Sequence, residues 1–69
     1  MNFVYVLKIR HHGDWDAQVF LFDSMQKVND AVFAFFDMED QRKRGLDGFQ
    51  NWLMDKEHGY FEVTTELVR

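Results

Sequence analysis

Cysteine and proline are both missing from these 69 residues, and each absence narrows what the chain can be. Without cysteine, neither a disulfide framework nor a thiolate zinc site can supplement a small core, which points away from secreted mini-domains and toward a reducing interior. Without proline, Gly13, Gly45, Gly48 and Gly59 are the strongest punctuation left, and each falls where an element should end. Positive charge is in the minority, eight Lys and Arg against twelve Asp and Glu, and the net charge of -4 argues against a general affinity for nucleic acid or anionic membrane. No apolar run approaches the roughly 18 residues of a membrane span. Met1 leads directly into a strand-like run, so no secretory leader is expected and a cytoplasmic location is.

What is abundant is aromatic surface. A single domain over residues 1–69 buries only about 60% of its unfolded surface, so its core needs reinforcement. Aromatics make up 17% of the chain, with eight Phe, and each can bury roughly 150–250 Å². Self-association is a further source of burial.

The first strand, Phe3 to Arg10, is apolar on both faces. Phe3, Tyr5, Leu7 and Ile9 line one side while Val4 and Val6 begin a second. If Gly13-Asp14 forms a two-residue hairpin loop, paired residues have numbers summing to 27. Phe20 and Phe22 then join the aromatic face, and Val19 and Leu21 complete an aliphatic one. Tyr60 to Val68 alternates Phe61, Val63 and Leu67 with Glu62, Thr64 and Glu66, which suits an edge strand. The expected architecture is α+β: a hairpin, two helices and a final strand, with a three-stranded sheet of order 2-1-3 and the helices packed on one face. What covers the aliphatic face is left open between helix 2, a second copy and a different protein.

Helix 1 should start at Asp23 or Ser24. Its core stripe comprises Met25, Val28, Ala31, Val32, Phe35, Phe36 and Met38. Phe33 falls outside that stripe, at the core's edge or exposed. Beyond Met38 the helix should continue as a solvated extension held by Glu39–Lys43 and Asp40–Arg44 pairs, with Arg42-Lys43-Arg44 at its C-terminus. Asp47 with Gln50 reads as a capping box for helix 2, which carries Phe49, Trp52 and Leu53 on one face and turns Met54 away.

The one segment with possible chemistry is His11-His12-Gly13-Asp14-Trp15-Asp16. Imidazole and carboxylate are metal ligands, and the assumed register sets His11 and Asp16 cross-strand on one face. Adjacent histidines on a strand point to opposite faces, and no second cluster supplies further ligands, so the expected reading is a polar hairpin tip with a His–Asp hydrogen bond. No catalytic residue, metal or cofactor is assigned. The basic run near residue 43 is flanked by Glu39, Asp40 and Asp47, a poor footprint for phosphate.

Partner-binding candidates are Trp15 at the hairpin tip with its neighbours Asp14 and Asp16, Phe33, and the aliphatic set Val4, Val6, Val19 and Leu21, because uncovered contiguous apolar surface is a liability in a monomer. Phe3-Val4-Tyr5-Val6-Leu7 opening a hairpin, Phe22-Asp23-Ser24 entering an amphipathic helix and a closing strand from Phe61 to Leu67 give a layout that resembles small phage and prophage proteins antagonising host defence, anti-CRISPR proteins among them. The resemblance covers the whole chain and transfers no functional residue. It implies an acidic binder that occludes a host complex, such as a CRISPR-Cas effector, without an active site. The expected function is therefore a non-enzymatic protein-binding module, an inhibitor. Its rivals are a homodimeric structural or regulatory protein and a small metal-dependent enzyme using the His11 to Asp16 loop.

Overall fold

The structure, a computed structural model, describes residues 2–68, and the expectation drawn from Met1 lies outside them. The elements are β1 (Asn2–His11), β2 (Gln18–Phe22), α1 (Met25–Phe36), a 3-10 segment (Glu39–Arg44), α2 (Gly45–Asp55) and β3 (Gly59–Val68). The fold is α+β with an antiparallel three-stranded sheet of order β2-β1-β3. β1, long and apolar on both faces, is central and pairs with β2 on one edge and β3 on the other.

The β1–β2 register is the expected one, from Tyr5–Phe22 through Leu7–Phe20 to Ile9–Gln18. The turn is not the expected one. Pairing stops at Ile9–Gln18, and residues 12–17 form a wider loop in which His11 and Asp14 close a turn through Asp14 N–H to His11 C=O, 3.2 Å. Gly13 supplies the positive φ of +89° that this turn needs. β3 then runs along the other edge of β1 from Asn2–Val68 to His11–Gly59. Glycine at 59 is forced by packing, since a Cβ there would meet Arg10 O at 2.5 Å and Phe36 Cε1 at 2.5 Å.

Both helices lie on one face. Leu7, Ile9 and Phe61 from the sheet pack with Val28, Val32, Phe33 and Phe36 of α1 and Phe49 and Leu53 of α2. Ser24 caps α1, its hydroxyl accepting from Lys27 N–H at 3.3 Å. The helix does not continue past Met38 as expected. Asp37 adopts φ +55°, its N–H and that of Met38 bond back to Ala34 and Phe33 carbonyls, and the chain reverses. The 3-10 segment that follows brings residues three apart into line. Arg42 therefore pairs with Glu39 and reaches Asp30 of α1 at 2.8 Å, in place of the expected Glu39–Lys43 and Asp40–Arg44 pairs. α2 begins at Gly45 without a side-chain cap, and Gln50 donates its side-chain N–H to Phe61 C=O at 2.8 Å rather than closing a capping box.

The reversal at Asp37 corrects the reading of Phe33. Once the chain folds back, α1 packs against the sheet on one flank and against α2 on the next, and Phe33 is buried between the helices, 4.6 Å from Phe49 ring to ring. The Arg42 guanidinium lies over its outer face at 5.3 Å, a cation–π lid. Phe33 is core and leaves the list of partner-binding candidates. Phe35, on the opposite flank, is only half-buried. Phe33→Ala should therefore cost about 3–5 kcal/mol, and Phe35→Ala less than half as much, as urea unfolding of the two variants will measure.

Candidate functional site

The sheet face away from the helices is built by the even-numbered residues of β1 and β3 and the odd-numbered residues of β2. Its cross-strand rows follow from the register: Leu21–Val6–Thr64 in the middle, Val4–Glu66 toward one end, and Val19–Lys8–Glu62 then Arg10–Tyr60 toward the hairpin end. Val4 and Val6 are half-buried by their neighbours, whereas Val19 is 56% exposed and Leu21 66%. No element among the described residues covers them. The four aliphatic residues assigned to partner binding from the sequence thus share one surface, as expected. α2, the chain's own candidate to cover it, turns Phe49 and Leu53 into the core on the other side.

Charge divides the face. The aliphatic residues occupy β2 and the first half of β1, Lys8 and Arg10 follow toward the hairpin, and Glu62 and Glu66 stand along β3. The register that places Val6 beside Leu21 also places Lys8 beside Val19, as the sequence implies, and so brings the cations onto the aliphatic face. At the rim, Val4, Leu21, Phe22, Asp23 and Lys27 line a shallow depression. There Lys27 Nζ pairs with Asp23 at 2.8 Å. The hydrogen bond from Lys27, and then its charge, hold the Asp23 carboxyl below the usual carboxylate range.

The hairpin loop stands at one end of this face. Arg10 Nη1 donates to Asp14 C=O at 3.0 Å and steadies the turn. Trp15 is 98% exposed, and Asp14 and Asp16 are exposed beside it. A tryptophan in full contact with water contributes little to the core. The loop does not bring His11 and Asp16 together. His11 faces β3, opposite Gly59, and its ring stacks on Phe35 at 4.4 Å and meets Phe36 edge-on at 5.3 Å. The expected His–Asp pair needed a two-residue turn, and the wider loop removes its basis. Among the described residues no three His, Asp or Glu side chains converge as metal ligands would. No helix there is long and apolar enough to cross a membrane.

The basic run is taken up within the fold. Arg42 bridges Glu39 and Asp30, and those two carboxylates, Glu39 first, raise its pKa. The Arg44 guanidinium lies over the Trp52 ring at 5.2 Å. Comparisons with family models, curated proteins and solved structures give no match to this chain.

Two outcomes follow from this geometry. Val6→Lys and Trp15→Ala should each leave a cooperative thermal melt, with Trp15→Ala within roughly 1 kcal/mol of the parent, because neither side chain belongs to the helix-side core. The lowered Asp23 pKa adds stability above the carboxyl's unfolded value, and this is lost as pH falls through the lower folded value. Asp23→Asn should therefore flatten the acid limb of a urea-midpoint-against-pH curve and leave the alkaline limb unchanged.

Proposed function

We propose that this chain is a protein-binding module whose working surface is the helix-free sheet face, extended at its hairpin end by Trp15. The observation that supports this most directly is the uncovered set Val4, Val6, Val19 and Leu21 in a chain with every helix committed to the opposite face. Apolar surface of this kind gains free energy by being covered, and an exposed tryptophan beside it provides an anchor of the type that dominates interfaces. Such binding is stoichiometric and acts by occlusion. Inhibition of a host defence complex, such as a CRISPR-Cas effector, is the form of it we favour, in keeping with the layout of the chain.

Asp14 and Asp16 flank the anchor and, with the net charge of -4, favour a basic patch on the partner. Metal-dependent chemistry at the hairpin has less geometric support, since His11 is engaged with Phe35 and Phe36.

Binding kinetics against a purified effector complex check the proposal. Leu21→Lys and Trp15→Ala should each weaken binding by about tenfold or more. Met54→Lys, at an exposed position on α2, should not. Asp14→Asn combined with Asp16→Asn should slow association and reduce its salt dependence, leaving dissociation nearly unchanged. A Met54→Lys loss equal to that of Leu21→Lys would place the contact on the helix layer instead.

A further inference from the structure

The helix layer and the sheet differ in width. Two helices side by side span about 20 Å, from axes roughly 8–10 Å apart and a diameter near 10 Å. Three strands spaced about 4.8 Å set their outer axes only about 10 Å apart. The helices must overhang an edge. α2 packs on β3, and α1 lies across β1 and β2, so the overhang falls at the β3 edge and β2 is left thinly covered. Over β2 a groove opens between sheet and helix, lined by Leu7 and Ile9 of β1, Phe20 and Phe22 of β2, and Ala31, Ala34 and Phe35 of α1. Phe20 is 38% exposed, and two alanines leave room on the helix wall beside Phe35.

The two free edges also differ in chemistry. β3 carries Glu62 and Glu66, charges of the kind that guard an edge against pairing. β2 reads Gln-Val-Phe-Leu-Phe, without a charge and apolar on both faces. We propose that β2 pairs antiparallel with β2 of a second copy about a twofold axis at Phe20, giving a continuous six-stranded sheet.

Symmetry fixes the register. A twofold axis normal to the sheet conserves the face of every residue, so only residues of like parity can pair. The register that overlaps all five residues sets Phe20 opposite Phe20, Val19 opposite Leu21 and Gln18 opposite Phe22, each a neutral pair. Centred on Thr64, the same operation on β3 would set Glu62 opposite Glu66 twice, a destabilising arrangement. With α1 seated between β1 and β2, its mate lies about 10 Å away, an ordinary helix separation. Ala31 and Ala34 then face that approach. On the other face, Val19 and Leu21 of both copies become neighbours, and the two aliphatic sets fuse into one patch.

This assembly does not depend on the partner-binding reading, because it uses the strand's edge and leaves the sheet face free. Light scattering on the purified chain alone therefore tests it. The parent should have the mass of two chains at micromolar concentration. Phe20→Glu and Phe20→Lys should each have the mass of one chain, and their equimolar mixture should regain that of two, which also shows that both variants fold. Because the chain has no cysteine, Phe20→Cys should cross-link to its own mate on mild oxidation, and Thr64→Cys at the opposite edge should not. A parent of one-chain mass at every concentration overturns the proposal. So does a dimer unchanged by either charged variant, or cross-linking of Thr64→Cys alone.

Discussion

The contact between Phe33 and Phe49 determines where both helices can lie. It is an aromatic contact between two helices rather than between a helix and the sheet, and it requires α1 and α2 to share a layer. Phe49 extends the contact to Phe36, Trp52 and Phe61, so one ring links α1, α2 and β3. Such a network suits a chain too small to surround its sheet, because a few large rings bury more area per residue than aliphatic side chains do. With both helices drawn to this side, no element among the described residues covers the other face of β1. The open sheet face and the thin cover over β2 are two results of the same packing choice.

The charged residues around this cluster act first as parts of the fold. Arg42 closes over Phe33 while holding Glu39 and Asp30, and Arg44 lies over Trp52. In both cases the planar guanidinium head itself lies over the ring, where the face of the aromatic attracts its charge. The segment that reverses the chain is thereby tied to α1. A basic run that looks like a phosphate footprint in one dimension is, in three, a fastening between a 3-10 segment and two helices.

Most of the sheet was legible in the sequence because alternation is a local signal. Val6 beside Leu21 and Leu7 beside Phe20 follow from parity and a single register, and the edge character of β3 follows from Glu62, Thr64 and Glu66. The helical region was less legible. Phe33 lies outside a stripe drawn for a helix that packs on a sheet alone, and its burial depends on α2 returning alongside, which depends on the left-handed Asp37. Aspartate tolerates that conformation but does not announce it as glycine would. The same limit affected the hairpin tip. Gly13-Asp14 fits a two-residue loop, yet the chain uses six residues, so Trp15 was rightly placed at the tip while the His11–Asp16 pair was not formed.

The pairing of β1 with β3 also sets how the chain reaches this structure. Every pair in that ladder joins residues whose numbers sum to 70, from Asn2 with Val68 to His11 with Gly59, so its contacts close the longest loops in the described chain. Loop closure of this kind places folding toward the slower end for a domain of this size. The hairpin and α1 can form from nearer neighbours, whereas the central strand keeps one bare edge until β3 arrives. During that interval the chain exposes its most aggregation-prone element, and the time spent there is set by chain topology, since no prolyl bond contributes an isomerisation step.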